Sequence, residues 1–242
     1  ITNFWIKHFD KYFYFFYTKI IAISDEIAII LKKHTNLEGE RFAVIENGIK
    51  LELYSNSSEL NKCDIDKAIS EKDDLLMQVS SFTQQKDQAT LIKSLQFLPN
   101  NSKLILIGEG ETMQDCKALV NELKLLDRVF FLGLRKDIPN LLKTSDIVVL
   151  SSKYEGVSLS SIEGMACGKP IIASDVPGLR KVVQGAGILF EQGNSEELAV
   201  AIMKLLQNKE HYDETVQRCM ERSKKYDIHT MIDKQMALYK EI

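Results

Sequence analysis

The chain lacks the sequence features of several protein classes. Its four cysteines lie far apart and form no CxxC pair, which argues against zinc ribbons and redox motifs and favours reduced thiols in a cytosolic protein. Its formal net charge is −3, so the basic excess typical of nucleic-acid-binding proteins is missing. With 45% apolar and 27% charged residues, the composition is that of a soluble globular protein.

A long apolar run is also missing near the start of the chain. The aromatic-rich segment from Phe4 to Phe16 is interrupted by charged residues, which excludes a spanning helix of about 20 apolar residues. It also lacks the cleavage signature of a secretory signal. We expect an amphipathic helix, whose apolar face either rests peripherally on the inner face of a membrane or packs on a neighbouring domain. Because the first residue is Ile1 rather than Met, we expect the chain to be part of a longer one.

Short apolar runs alternate with amphipathic segments through most of the sequence. This alternation predicts an α/β fold with a Rossmann-like, doubly wound parallel sheet and helices on both faces. The predicted strands are Lys19 to Ser24, Phe42 to Glu46, Leu75 to Ser80, Lys103 to Ile107, Arg128 to Leu132, Asp146 to Leu150, Pro170 to Ser174 and Gly187 to Phe190. The predicted helices are Asp25 to His34, Lys86 to Leu98, Glu111 to Leu123, Ser158 to Cys167 and the chain after Asn194. The polar stretch from Glu52 to Asp74 is predicted to be a linker with a short helix.

The loop after the strand Asp146 to Leu150 carries the most informative chemistry. Ligands of open α/β sheets bind beyond the carboxyl ends of the strands, and this strand leads into a helix whose N-cap is Ser158. The free backbone amides and the dipole of a helix N-terminus suit a phosphate or diphosphate. Gly156 allows a close approach between backbone and ligand. The segment from Gly156 to Leu159 is therefore a candidate anion site.

Two carboxylates flank this candidate anion site. Glu155 lies in the loop before it, and Glu163 lies just over one helical turn beyond the cap. A carboxylate can accept hydrogen bonds from a pair of sugar hydroxyls, so Glu163 fits a ribose and Glu155 fits a transferred sugar. Taken alone, each glutamate is better explained as a solvated helix or loop residue. Their combination with the strand end, the cap and the glycine favours a binding site.

The same residues resemble a known family. The run EGVSLSSIEGMACGKPIIASDVPG, from Glu155 to Gly178, resembles the EGFGL…EAMACGxPVIASDxGG signature of the family 4 retaining glycosyltransferases, which have the GT-B fold. Further similar segments occur in the family's order at Val44 to Ile49, Gln85 to Asp87, Leu106 to Gly110 and Phe131 to Gly133. The resemblance covers about Ile20 to Leu206.

The resemblance implies a role for each matching position. Glu163 would hold the ribose hydroxyls, and the amides of Gly156, Val157, Ser158 and Leu159 would bind the diphosphate. Glu155 would orient the donor sugar, and Lys86 would neutralise phosphate charge as the glycosidic bond breaks. The backbone at Leu134 and Arg135 would contact the base. The implied enzyme is a hexosyltransferase of polysaccharide biosynthesis that uses a UDP- or GDP-sugar and a glycan or lipid-linked acceptor, without a metal. The sequence also has no DxD-type metal motif.

The resemblance also implies a domain division. Residues 1–47 would be the end of an N-terminal acceptor domain, 48–224 the donor-binding domain, and 225–242 a helix crossing back towards the N-terminal domain. Since most of the acceptor domain is then missing, we expect the chain alone to bind nucleotide but to be inactive. The family has Gly-Arg after the first donor-domain strand, whereas this chain has Ser80 and Ser81, which supply hydroxyls but no charge.

Two other functions stay open. A GxG at Gly108 and Gly110 follows a strand, as in NAD-dependent oxidoreductases, but the third glycine of that fingerprint is replaced by Met113. The second alternative is a non-catalytic nucleotide-sugar-binding or interaction module, which the lost arginine favours. Retention of Lys86, Glu155 and Glu163 argues against it.

Overall fold

The computed structural model describes residues 13–37 and 39–241, and the chain divides into two compact units. The smaller unit comprises Ile1–Gly48 and Tyr226–Ile242, and the larger one comprises Ile49–Lys225. The predicted amphipathic helix from Phe4 to Phe16 lies mostly outside the described residues, so it stays a prediction.

The smaller unit contains a pair of parallel strands, β1 (Ile20–Ala22) and β2 (Phe42–Val44), and the helix α1 (Asp25–Thr35). Ser24 was predicted to end the first strand but instead caps α1, because its Oγ accepts a hydrogen bond from the amide of Ile27 at 3.3 Å. The last helix of the chain also belongs to this unit.

The larger unit is built on a sheet of six parallel strands. The strands are β3 (Asp74–Val79), β4 (Ser102–Ile107), β5 (Val129–Gly133), β6 (Ile147–Leu150), β7 (Ile171–Ser174) and β8 (Ile188–Phe190). Their order across the sheet is β5-β4-β3-β6-β7-β8. The direction of progression reverses between β3 and β6, as in a doubly wound Rossmann-like sheet, which confirms the predicted fold class.

The central strands form because short, mainly apolar runs are covered on both faces. All four residues of β6 and all four of β7 are buried, and so are the central four of β3. Continuous apolar runs of this kind are typical of parallel sheets, in which helices cover both faces. The rigid sheet that results fixes the positions of the loops at its carboxyl edge.

Helices connect the strands of the larger unit and extend to the end of the chain. After α1 they are α2 (Leu51–Ser55), α3 (Lys62–Ile65), α4 (Gln88–Ser94), α5 (Met113–Glu122), α6 (Ile138–Thr144), α7 (Leu159–Ala166), α8 (Pro177–Val183), α9 (Ser195–Gln207), α10 (Lys209–Ser223) and, in the smaller unit, α11 (Ile228–Lys240). Short 3-10 segments lie at Gly39–Arg41, Leu95–Phe97 and Lys224–Tyr226.

The helix predicted from Lys86 to Leu98 requires a correction. It begins only at Gln88, because Asp87 has a left-handed backbone with φ of 48°, and it continues as a 3-10 segment after Ser94. Lys86 therefore lies in the loop before the helix. The predicted linker from Glu52 to Asp74 contains the two short helices α2 and α3.

Candidate active site

The site predicted from the sequence lies where the strand order reverses. Strands β3 and β6 are neighbours, and their carboxyl ends lead into the loops 80–87 and 151–158. In doubly wound sheets, the crevice at this switch point is where ligands bind. The fold therefore brings the loop that holds Lys86 beside the loop that holds Glu155.

Hydrogen bonds join these two loops directly. The amide of Lys153 donates to the carbonyl of Gln85 at 2.8 Å, and the side-chain amide of Gln85 donates to the carbonyl of Tyr154 at 2.8 Å. The hydroxyl of Ser151 donates to the carbonyl of Asp87 at 2.8 Å. These contacts hold Asp87 in its left-handed conformation and fix the loop on both sides of Lys86.

Lys86 and Glu155, the two predicted catalytic residues, form an ion pair. Their side chains are 19% and 8% exposed, so the pair is largely shielded from water. The hydroxyl of Ser152 also donates to Oε1 of Glu155, at 2.8 Å. The pair places a cation and a carboxylate side by side at the switch point, each in a defined position.

The N-terminus of α7 is open. Ser158 is its N-cap residue, as predicted, but its hydroxyl caps no backbone amide of the described chain; it contacts Ser160 Oγ at 3.2 Å instead. In the larger unit, the N-cap side chains of α9 and α10, Asn194 and Asn208, each accept a hydrogen bond from a first-turn amide, whereas the other helices, like α7, have no side-chain cap. The first-turn amides of α7 are thus available to an anion.

Two glycines shape the loop before α7. A Cβ on Gly178 would lie 2.1 Å from the carbonyl oxygens of both Glu155 and Gly156, so the N-terminus of α8 can approach this loop only without a side chain. At Gly156, a Cβ would meet no atom of the described residues within 4 Å. Gly178 therefore has a packing role, whereas Gly156 borders open space.

Glu163 lies on α7 and is partly buried, with Tyr54 as its hydrogen-bond donor. The hydroxyl of Tyr54 donates to Oε1 of Glu163 at 2.7 Å. Burial raises the pKa of the Glu163 carboxyl, and the hydrogen bond from Tyr54 partly offsets that rise by lowering it. Burial likewise raises the pKa of Tyr54 well above its ordinary value. Tyr54 was not predicted as a site residue, because it lies in the stretch taken for a linker.

The remaining predicted positions lie at the ends of β3 and β5. Ser80 Oγ accepts hydrogen bonds from the side-chain amides of Gln78 and Gln88, at 3.2 and 3.1 Å, and Ser81 is exposed.

Leu134 is 73% exposed in the loop after β5. In the same loop the Arg135 guanidinium makes two hydrogen bonds to Asp137, at 2.8 and 2.6 Å, which lower the pKa of that carboxyl. Strand β4 separates this loop from β3, and within the described chain no hydrogen bond or ion pair joins Leu134 or Arg135 to the Lys86–Glu155 pair.

The GxG motif after β4 has a structural explanation. A Cβ on Gly108 would lie 2.1 Å from the carbonyl oxygen of Ser80, and one on Gly110 would lie 2.2 Å from that of Phe82. Both glycines also have positive φ, of 132° and 154°. They let this turn pack directly on the backbone of the loop after β3. Their position after β4, rather than at a strand of the switch point, does not match a dinucleotide fingerprint.

The described residues contain neither a metal-ligand cluster nor a membrane-spanning helix. No cluster of three or more His, Cys, Asp or Glu residues there could hold a metal ion. Among the helices of that same part of the chain, none is sufficiently long and apolar to cross a bilayer.

Comparison with known proteins identifies the class. The sequence model of the family described as "Glycosyl transferases group 1" matches residues 62–226. The chain is similar to the Anabaena Alr3699/HepE structure in complex with UDP-glucose, with a TM-score of 0.83 and 26% identity over 93% of this chain and 64% of that one. The fold is thus α/β and doubly wound, and its solved structural neighbours are GT-B glycosyltransferases. This chain belongs to the group 1 glycosyltransferases.

Two curated relatives are similar over a large part of the chain. The Escherichia coli UDP-Gal:alpha-D-GlcNAc-diphosphoundecaprenol alpha-1,3-galactosyltransferase is 28% identical over 203 residues, which are 79% of this chain and 52% of that protein. The Bacillus anthracis N-acetyl-alpha-D-glucosaminyl L-malate synthase is 32% identical over 157 residues, which are 63% of this chain and 41% of that protein. The chain therefore spans about half the length of these relatives or less.

Proposed function

We propose that this chain is the donor-binding half of a retaining family 4 glycosyltransferase of the hexosyltransferase type. The observation that carries this proposal is the open N-terminus of α7 at the switch point, flanked by Glu155 and Glu163. A helix N-terminus without a side-chain cap favours an anion, and two carboxylates beside it can accept hydrogen bonds from sugar hydroxyls. A nucleoside diphosphate sugar has both kinds of group.

In the proposed complex, the diphosphate accepts hydrogen bonds from the backbone of Gly156, Val157, Ser158 and Leu159, with Ser80 and Ser81 as further hydroxyl donors. Glu163 accepts hydrogen bonds from the ribose, and the backbone at Leu134 and Arg135 contacts the base. Glu155 orients the sugar. As the glycosidic bond breaks, negative charge develops on the diphosphate, and Lys86 stabilises that charge without a metal.

The names of the relatives indicate the substrates to test first. One names UDP-Gal and a GlcNAc-diphosphoundecaprenol, and the HepE structure holds UDP-glucose. We therefore favour a UDP-hexose over a GDP-sugar, and a lipid-linked sugar over a free glycan, as the substrates of the whole enzyme. A lipid-linked acceptor would place that enzyme on the cytoplasmic face of a membrane, in polysaccharide biosynthesis.

The test is calorimetric titration of UDP, GDP, ADP and NAD into this chain in the presence of a metal chelator. We expect UDP to bind, NAD not to bind, and no sugar transfer by this chain alone. If no nucleoside diphosphate binds, the donor-site proposal is wrong. Transfer by the chain alone would contradict the half-enzyme proposal. For the whole enzyme, retention is tested by the anomeric configuration of the product, and nucleotide binding without any transfer would favour the non-catalytic module.

A further inference from the structure

The hydroxyl of Tyr54 reaches Glu163 from a distant part of the chain. Tyr54 lies on α2, 109 residues before Glu163, and α2 packs on α7. The backbone at and after Tyr54 is tied down: Ser57 Oγ donates to the carbonyl of Tyr54 at 2.6 Å, and the amide of Leu60 donates to Thr144 Oγ1 of α6 at 2.8 Å. The fold therefore anchors the segment that carries this donor.

Considered only for its effect on folding stability, the partly buried carboxylate of Glu163 is unfavourable. Burying an ionised carboxylate is costly unless it is paired, and none of the ion pairs of the described residues includes Glu163. Within the described part of the chain, the hydrogen-bond donor to this carboxylate is the Tyr54 hydroxyl, and the bond uses Oε1. A carboxylate oxygen can accept two hydrogen bonds, so Oε2 is left with acceptor capacity.

We propose that Tyr54 is a positioning residue of the donor site, whose hydroxyl fixes one oxygen of Glu163 so that the other is presented to the ribose hydroxyls. This inference rests on the proposed function, because it assigns Glu163 to the ribose. A carboxylate held in one orientation loses less conformational freedom when the nucleotide binds, and this preorganisation increases affinity.

Tyr54 also affects the charge of Glu163. Its hydrogen bond lowers the pKa of the carboxyl against the rise caused by burial, and it therefore helps to keep the carboxylate ionised. Cys167, the C-cap residue of α7, is a second titratable group that interacts with Glu163 among the described residues, and burial raises the pKa of that thiol to about 11. Most cations of the helices packed on α7 have other contacts: Lys143 with the Cys167 carbonyl, Arg180 with Asp175, Lys209 with Asp213, Arg218 with Glu214, and Arg222 with the carbonyls of Val182 and Gln184.

The experiment compares UDP binding to wild type and to Tyr54→Phe, which removes one oxygen atom and keeps the ring. We expect the affinity at neutral pH to fall about tenfold, as for the loss of a hydrogen bond to a charged group. We also expect the acid limb of the binding profile to move to higher pH, because the Glu163 pKa rises further without its donor. A role in folding alone would not move this limb.

Tyr212→Phe is the matched control. Its hydroxyl is a similarly buried donor, to the carbonyl of Asp146 at 2.8 Å, and has no contact with Glu163. This variant is expected to lose stability but to keep the UDP affinity and pH profile of wild type. In a Glu163→Gln background, Tyr54→Phe is expected to have little further effect on affinity, since the two residues act as a unit.

The outcomes separate this inference from the proposal on which it rests. If wild type binds UDP and Tyr54→Phe binds it with the same affinity and the same pH profile, Tyr54 is not a positioning residue, while the donor site stands. Full additivity of Tyr54→Phe and Glu163→Gln would also overturn the inference. If wild type binds no nucleoside diphosphate, the proposed function itself is wrong.

Discussion

Lys86 and Glu155 are 69 residues apart in sequence and form an ion pair across the point where the sheet reverses direction. Each residue follows a different strand, β3 or β6, and only the parallel pairing of those strands brings them together. A shielded pair next to an open helix N-terminus gives the site a cation and a carboxylate before any ligand binds. Such preorganised charges are effective because they need no reorganisation during the reaction.

Removing the cation of this pair is expected to destabilise the fold. In Lys86→Met, the Glu155 carboxylate keeps Ser152 as a donor but loses its counter-charge while remaining largely buried. We expect the free energy of unfolding to fall by about 2 kcal/mol. The measurement is urea denaturation at neutral pH.

Lys209→Met provides the matched control for that prediction. Lys209 pairs with Asp213 on the exposed face of α10, where both side chains are in water. Its loss is expected to change stability by no more than about 0.5 kcal/mol. Equal losses in the two variants would show that the Lys86–Glu155 pair behaves as an ordinary surface pair.

The two glycines beside α7 are expected to respond differently to alanine. In Gly178→Ala, the new Cβ would overlap two carbonyl oxygens at 2.1 Å, and we expect a loss of about 1–3 kcal/mol in stability. In Gly156→Ala, the new Cβ would meet no described atom within 4 Å, and we expect the free energy of unfolding to change by no more than about 0.5 kcal/mol.

UDP binding tests whether Gly156 contacts the ligand or whether the fold merely tolerates a larger side chain at this position. If its backbone contacts the diphosphate, the added methyl group hinders that approach, and UDP affinity falls although the fold is intact. Thermal unfolding and calorimetry of both alanine variants check these expectations. Unchanged UDP affinity in Gly156→Ala would remove this residue from the proposed diphosphate site.

The fold was largely predictable because its signal is local. Short, mainly apolar runs mark the strands β3 to β8, and each predicted strand lies within two residues of an observed one. The short helices α6 and α8 were not predicted; each begins with a proline in its first turn and has too few residues to show a clear periodicity. The helix predicted from Lys86 starts late because Asp87 has a left-handed backbone and contacts Ser151 and Gln192, which lie far away in sequence and which the local pattern cannot reveal.

The site was predictable only in part. The segment from Glu155 to Glu163 lies on one continuous loop and helix, so its spacing was visible in the sequence. The ion pair with Lys86 and the hydrogen bond from Tyr54 join residues far apart in the chain, and tertiary packing alone creates them. The missing side-chain cap of α7 was also hidden, because serine is a common N-cap residue, whereas the hydroxyl of Ser158 contacts Ser160 Oγ instead.

Glu163 is expected to reduce stability as the pH rises. Its pKa is raised by burial in the folded state, so the folded protein holds the proton more tightly than the unfolded chain does. The stability that this group contributes is complete below its ordinary pKa of 4.5 and is lost as the pH rises through the raised value. Glu163→Gln cannot ionise and can still accept the hydrogen bond from Tyr54.

Thermal unfolding of wild type and Glu163→Gln without nucleotide, from acidic to neutral pH, checks the direction of this pH dependence of stability. We expect the variant to gain stability relative to wild type as the pH increases, since the contributions of all other groups cancel in the difference. A difference that stays constant, or that changes in the opposite direction, would contradict the folded-state pKa shift. A carboxylate that costs stability at neutral pH is consistent with a residue retained for binding.

The most direct measurement is the affinity of UDP for wild type, Glu163→Gln and Glu122→Gln, determined by calorimetry at neutral pH. Glu122 is an exposed carboxylate at the end of α5, so its substitution makes the same change in charge away from the switch point. We expect wild type and Glu122→Gln to bind UDP equally, and Glu163→Gln to bind it about 10- to 100-fold more weakly, as for lost hydrogen bonds to a charged group. Equal affinity of all three proteins, or no binding by wild type, would contradict the assignment of this site to a nucleotide-sugar donor.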